Sequence, residues 1–312
     1  MPEMQAIRIH AYGGPEVLIH ETAPRPVPER GEVLVRIHAA GINPVDWKIR
    51  AGYLKEFMPI SFPAILGMDL SGVVEAVGPG VTRFKAGDEV YAMANMKKGG
   101  SYAEYIAIEE GILALKPRSL DHVHAAAIPL AGLTAYHGLL EVGDVKPGQK
   151  VLIHGAAGGV GAFAVQIAKW KGAHVMGTAS ARNQGFLREL GVEKAIDYGT
   201  QAFEKIASDM DLVIDTIGGE TQERSWSVLK KGGILASTVG QPQAPANAPQ
   251  NVVGKAIQNR PNAEGLKVLA DLADTGKLLA FIESEFPLKE TRKAHEKSQA
   301  GHTRGKLVLR TA

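Results

Sequence analysis

Residues 151–183 read VLIHGAAGGVGAFAVQIAKWKGAHVMGTASARN. The run opens with an apolar strand-like VLI and turns at a cluster of glycine and alanine. It continues as VGAFAVQIAKW, with apolar residues at helical spacing, ended by Gly172. HVMGTA is strand-like again. Strand, tight turn, helix and strand make a βαβ unit, and a glycine turn in that place lets backbone approach a phosphate. The turn reads Ala156-x-Gly158-x-x-Gly161 against the pattern G-x-G-x-x-G. Gly158 leaves room for a pyrophosphate, and Gly161 lets the helix pack close to the strand. Ala156 stands at the first glycine place, which alanine fills at little cost if φ is negative. The backbone of Ala157, Gly158, Gly159, Val160 and Gly161, with the helix dipole behind it, is the expected cradle.

The end of the next strand sets the choice of dinucleotide. An NAD site carries Asp or Glu about 20 residues on, for the ribose 2′-hydroxyl. Here TASARN holds no acid. Ser180, Arg182 and Asn183 offer a hydroxyl, a guanidinium and an amide, which suit a 2′-phosphate that a carboxylate would repel. NADP(H) is therefore the expected cofactor. Arg182 as a solvated helix-start residue is the competing reading.

The rhythm of alternating strand and helix runs on from there. NQGFLRELG is a helix ended by Gly191, and KAIDY is a strand ending at Tyr198, a further candidate cofactor contact. DLVIDTIGG is a strand. ETQERSWSVLKKGG is read as a helix ended by Gly232, and ILASTVG as a strand. Such spacing means a parallel, doubly wound sheet. Ile217 and Val239, just past the later strands, sit where the chain would pass the adenosine and nicotinamide. QPQAPANAPQN (241–251) is read as a surface loop, with a lid as the alternative.

Before residue 120 the chain is rich in glycine and proline and broken into short runs such as EVLVRIHAAGI, DLSGVVEAVGPGV, GDEVYAM and SYAEYIAI, as in a compact β domain. LDHVHAAAIPLAGLTAYHGLLEVG (120–143) reads as two short helices meeting at Pro129. The tail offers a helix in AEGLKVLADLADTGKL, a strand in FIESEFPL, a basic helix in KETRKAHEKSQAG and a last strand in KLVLR.

Bulk composition narrows the classes. The 312 residues are 45% hydrophobic and 22% charged, with a net charge of +2. Nothing in that balance suggests a nucleic-acid partner, which needs clustered Lys and Arg. No apolar run approaches the ~18 residues of a membrane span, and the first residues lack the pattern of a secretory signal, so a cytoplasmic enzyme is expected. There is no cysteine, which excludes disulfides, thiolate metal sites and cysteine nucleophiles.

The β-rich first part, LAGLTAYHGL, GAAGGVG, TASARN, DLVIDTIGG and the closing GKLVL together resemble the medium-chain dehydrogenase/reductase superfamily, in particular its zinc-independent quinone oxidoreductase-like branch. The resemblance runs in collinear order over nearly the whole chain. It implies a GroES-like, partly barrel-shaped catalytic domain made from residues 1–123 and 263–312. Between them it implies an inserted Rossmann domain, residues 124–262, for an α/β architecture overall. It implies NADPH as reductant, a quinone or enone as substrate and a homo-oligomer, commonly a dimer. It also places Thr134 and Tyr136, in LTAY, beside the cofactor.

Zinc members carry a cysteine in G-x-C-x-x-D and a histidine in G-H-E. The matching stretches here, GINPVDWK and LGMDLSG, have Asn43 and Met68 instead, so no metal is expected. His122 and His124, two apart on a helix, point different ways and make a poor metal pair. His137 and His154 are expected to be packed. Reduction of a simple ketone develops an alkoxide that zinc stabilises, whereas a quinone or conjugated carbonyl spreads the charge, so hydrogen-bond donors suffice. Candidate donors in GINPVDWKIRAGY are Asn43, Tyr53 and Lys48, with Asp46 ordering the loop. Tyr53 as a packed loop aromatic and Lys48 as a solvated residue remain open readings. So do a 2-alkenal or enoyl reductase and a non-catalytic NADPH-binding sensor.

Overall fold

In the computed structural model, which describes residues 2–96 and 99–311, the chain starts with β1 (Glu3–Ile9), β2 (Ile19–Pro24) and the long β3 (Glu32–Ile42). Helix α1 (Pro44–Arg50) follows at once. Then come β4 (Ala64–Ile65), β5 (Asp69–Val77), β6 (Glu89–Met93), β7 (Tyr105–Glu109), β8 (Leu113–Leu115), α2 (His122–Ala126) and α3 (Pro129–Tyr136). The middle of the chain alternates: β9 (Lys150–Ile153), α4 (Gly159–Trp170), β10 (His174–Ala179), α5 (Gln184–Glu189), β11 (Lys194–Asp197), β12 (Met210–Asp215), α6 (Gly219–Ser225), β13 (Leu229–Ser237) and β14 (Val253–Ala256). It closes with α7 (Ala263–Asp274), β15 (Ile282–Pro287), α8 (Thr291–Ala300) and β16 (Lys306–Arg310).

These elements form two units. The first joins the residues up to Leu130 with those from Arg260 on; the second is Ala131–Asn259. The sequence boundaries, 123/124 and 262/263, differ by a few residues. Helix α2 is the reason for the larger difference: Val123 and Ala126 bury with Ala39 of β3 and Val308 of β16, so the helix belongs with the β-rich unit.

In the first unit the main sheet runs β15-β16-β3-β5-β6-β8, with β7 also pairing with β3. Period-two burial builds its core. Val33, Val35 and Ile37 of β3 turn inward with Leu70, Val90 and Ile106, as alternating Cβ directions require. A smaller sheet has the order β2-β1-β4. The GroES-like β-rich character expected from the sequence is the one observed.

The second unit is a six-stranded sheet of order β11-β10-β9-β12-β13-β14, with every pairing parallel. Counted along the chain this is 3-2-1-4-5-6, the doubly wound Rossmann order, whose reversal falls between β9 and β12. Val151, Leu152 and Ile153 are fully buried, as strands covered on both faces must be. Gly172 and Gly191 end α4 and α5 in positive φ, +76° and +78°. In each case the next N–H reaches back five residues, Ala173 to Ala168 and Val192 to Leu187.

One element differs from its reading. The helix expected to run to Gly232 stops at Ser225, and Leu229–Ser237 is strand. A 3-10 turn, Trp226–Val228, carries the chain on until the backbone becomes extended at Leu229, and Trp226, Val228 and Leu229 all pack in the sheet's core. Lys230 to Gly232 then form an irregular start to β13, where the register with β12 shifts. Segment 241–251 is turn and loop. It is stitched to the edge strand by Gln241, which donates to the Gly254 carbonyl at 2.7 Å and accepts from the Ala256 N–H at 3.1 Å.

Candidate functional site

The glycine turn lies between β9 and α4, at the strand-order reversal. Its positive-φ residue is Gly155, at +66°. Ala156 has no positive φ, so the turn's conformational demand falls one residue earlier than the pattern placed it. Gly161 is required by packing: a Cβ there would lie 2.2 Å from the Gly155 carbonyl oxygen. Gly158 differs. It is the N-cap of α4 at φ −79°, and a Cβ would meet only the Gly155 oxygen, at 3.3 Å. Among the described residues no close packing demands a glycine at 158, which is what a surface kept bare for a ligand looks like. Gly159, Val160 and Gly161 are the first three residues of α4, so their N–H groups have no acceptor within the helix. Those free donors, at the positive end of a twelve-residue helix, fit a diphosphate.

Candidates on neighbouring strand ends gather around this turn. Ser180 follows β10 and is half-buried, Arg182 is exposed, and Asn183 is buried with its amide 3.4 Å from the Ser180 hydroxyl. Tyr198 is 58% exposed and its N–H bonds the Ala179 carbonyl, which holds it against the end of β10. The Ile217 Cδ1 lies 3.2 Å from the Cβ position of Gly155. Val239 abuts Gly218, and both Ile217 and Val239 are more than half exposed. Large apolar side chains held open beside a bare backbone loop suit a flat ring. Thr134 is buried in α3, just ahead of a π-helical stretch, His137–Val142.

Of two buried anchors in this region, one went unread in the sequence and the other, His154, was expected to be packed. Asp215 is fully buried; its carboxylate accepts from the N–H groups of Ile217 and Gly218 at 2.9 Å each and from Ser237 and Gln222. The signal was the Asp followed by a glycine pair in DTIGG, an Asx-type turn. His154 bridges Thr178 at 3.1 Å and Ser225 at 2.9 Å. Burial, reinforced by the Arg224 charge and opposed by that of Asp215, drives its pKa down to about 4.

The acceptor-side candidates lie on the β-rich unit. Asn43 caps α1 and is 2% exposed. Its amide Nδ2 donates to Asp69 at 2.9 Å, its Oδ1 accepts from the Lys306 ammonium, and its backbone N–H donates to Asp46 at 2.7 Å. Lys306 also reaches the Ile42 carbonyl at 3.0 Å and Asp69 at 3.3 Å. Asp69 accepts from the Leu130 N–H as well, and burial raises its pKa despite the nearby ammonium. Asp46 orders the loop as expected. It is fully buried, and desolvation raises its pKa to about 7 against the bonds from Asn43 and Tyr102. Lys48 is exposed, with its ammonium 5.7 Å from the centre of the Trp47 ring, and Tyr53 is 70% exposed with an edge contact to Trp47 at 6.0 Å. Of the three donor candidates, then, Asn43 is locked in place, while Lys48 and Tyr53 stand in solvent.

Met68, at the histidine place of the zinc pattern, is buried. Among the described residues no group of three or more His, Asp or Glu is arranged to hold a metal. His122 and His124 diverge as expected: one bonds Ser71 at 2.8 Å, the other Asp121 at 2.7 Å.

Residues 29–118 match the alcohol dehydrogenase GroES-like domain, and residues 190–309 match the zinc-binding dehydrogenase family. The chloroplast envelope quinone oxidoreductase homolog of Arabidopsis thaliana is 34% identical over 98% of both chains. This chain belongs to the quinone oxidoreductase-like branch of the medium-chain dehydrogenase/reductase superfamily. The NADPH-dependent alkenal/one oxidoreductase of the same plant, also chloroplastic, is 34% identical over 98% of this chain and 79% of its own. The Escherichia coli quinone oxidoreductase solved in complex with NADPH superposes with a TM-score of 0.86, at 29% identity over 98% of this chain and all of that one. Among the described residues no helix is long and apolar enough to cross a membrane.

Proposed function

We propose that this protein is an NADPH-dependent, zinc-independent reductase of quinones and conjugated carbonyls. The observation that carries the reading is the setting of Asn43. Where zinc members have a cysteine, an amide is held by Asp69 and Lys306, and the fixed positive charge is an ammonium within the chain. An Asn amide has two N–H bonds, and Asp69 takes one. The other is the donor for the acceptor's oxygen.

Bound NADPH supplies the hydride. The N–H groups of Gly159, Val160 and Gly161 hold the diphosphate. Ser180, Arg182, Asn183 and Tyr198 bracket the 2′-phosphate, and Ile217, Val239 and Thr134 flank the remainder. Reduction of a quinone to hydroquinone takes one hydride and one proton. Asn43 stabilises the charge that develops on the oxygen, and Tyr53 or Lys48, both exposed, delivers the proton. The similarity to quinone and alkenal/one oxidoreductases supports both acceptor types. We also expect a homodimer and a cytoplasmic location.

The test is steady-state oxidation of NADPH with a panel of quinones, 2-alkenals and simple alcohols. Turnover of quinones or alkenals, with simple alcohols inert, is expected. Faster oxidation of simple alcohols would overturn the zinc-independent reading, and binding of NADPH without turnover of any acceptor would favour a sensor.

A further inference from the structure

Beneath α1 lies a row of buried polar groups that the reaction does not use. Arg50, Tyr102, His295 and Asp46 are each fully buried. The Arg50 Nη1 lies 3.3 Å from His295 Nδ1; His295 Nε2 lies 3.3 Å from the Tyr102 hydroxyl; and that hydroxyl lies 2.7 Å from Asp46 Oδ2.

Donor rules fix the direction. A guanidinium can only donate, so His295 Nδ1 must accept and carries no proton. The neutral ring then has its proton on Nε2, which donates to the Tyr102 oxygen. The Tyr102 O–H is left to donate to Asp46. Every bond points from the buried cation toward the buried carboxylate. Burial and the Arg50 charge push the His295 pKa down to about 3, in keeping with a neutral ring. Chains of aligned bonds polarise one another. Arg50 is fixed at its other edge by the Gly13 carbonyl at 3.2 Å and Gln299 at 2.8 Å.

The far end of the chain matters most. Asp46 Oδ2, which receives the Tyr102 proton, also receives the Asn43 backbone N–H at 2.7 Å, while Oδ1 has no hydrogen-bond partner. Asn43 is the acceptor-site donor in the reading above, on which this inference rests. We propose that His295 is a positioning residue of the acceptor site, acting through Tyr102 and Asp46 to hold the backbone of Asn43. Helix α8, more than 240 residues along the chain, would thereby set the geometry of the loop before α1.

The test compares His295→Gln with His295→Leu in the full chain. Glutamine can keep both roles, with its carbonyl accepting from Arg50 and its amide donating to Tyr102; leucine keeps neither. The expected result is a fall in kcat of roughly tenfold or more for the leucine variant, with NADPH affinity unchanged and most of the loss restored by glutamine. Two measurements need no acceptor. Amide hydrogen exchange at Asn43 should quicken in the leucine variant and return in the glutamine variant. Histidine-labelled 15N spectra of the unmodified protein should show the Nε2–H tautomer of His295 from about pH 5 to pH 8. If no acceptor is reduced, the reductase reading falls, and exchange and tautomer still judge the relay. An Nδ1–H or cationic ring, a leucine variant with unchanged Asn43 exchange, or a glutamine variant no better than leucine would each overturn the proposal.

Discussion

Gly161 faces the carbonyl of Gly155 so closely that a methyl group on it would sit 2.2 Å from the oxygen. Gly161→Ala must therefore push the helix off its strand, at a cost of about 3 kcal/mol. Gly158→Ala meets only one atom, at 3.3 Å, and costs about 1 kcal/mol as a change of cap. The first variant should lose thermal stability and NADPH binding together. The second should keep its melting temperature within a few degrees and lose NADPH affinity by more than tenfold. Calorimetry and fluorescence titration separate the two.

Arg182 is exposed beside Ser180, with no acid between Ala179 and Gln184. Arg182→Ala should weaken NADPH by about 2 kcal/mol, the scale of a lost charge-assisted bond, and leave NADH unchanged. Equal losses for both cofactors in titration would remove Arg182 from the 2′-phosphate site.

His154 makes stability depend on pH. Its folded pKa of about 4 lies below the ordinary 6.5. The unfolded chain thus binds the extra proton between those values, and the stability this group contributes is full above pH 6.5 and lost as pH falls toward 4. At about pH 5 the loss is about 2 kcal/mol. His154→Gln can keep a donor and an acceptor without titrating. Urea unfolding at about pH 7 and pH 5 should show a smaller difference for the variant than for the parent.

Lys306 and Asp69 form a buried ion pair, with side-chain exposures of 4% and 0%. Lys306→Met leaves the carboxylate unpaired and should cost about 3 kcal/mol or more. Adding Asp69→Asn should recover much of it, because no charge is then stranded. A double-mutant cycle on melting temperature reads the coupling; simple additivity would show that the pair is not coupled.

The Rossmann half was legible because its signals are local: βαβ spacing, glycines after helices, and a turn with its context on either side. The misread helix at Lys230–Gly232 shows where local pattern fails. Burial of Trp226, Val228 and Leu229 in the sheet's core overrode a sequence that looked like a helix ending in glycine. The acceptor side was legible only in part. Asn43 and Asp46 lie in a recognisable stretch, but Tyr102 reaches Asp46 from 56 residues away and Lys306 reaches Asn43 from 263. No spacing rule connects residues that meet only after the sheet has formed. Asp215 was within reach of sequence reasoning and was passed over, because the same stretch read well as a plain strand.

Lys306 belongs to a strand that joins the sheet next to β3, and it grips Asn43 from 263 residues further along. A ribosome adding about 5–20 residues per second makes that stretch in on the order of 10 to 50 seconds. During that time the nucleotide-binding unit, which is continuous in sequence, is complete and free to fold. The β-rich unit still lacks β16, and Asn43 and Asp69 still lack their cation. The β-rich unit is thus finished last, and a message cut short before Lys306 would yield a chain whose parallel sheet has all its strands while Asn43 and Asp69 go without their cation.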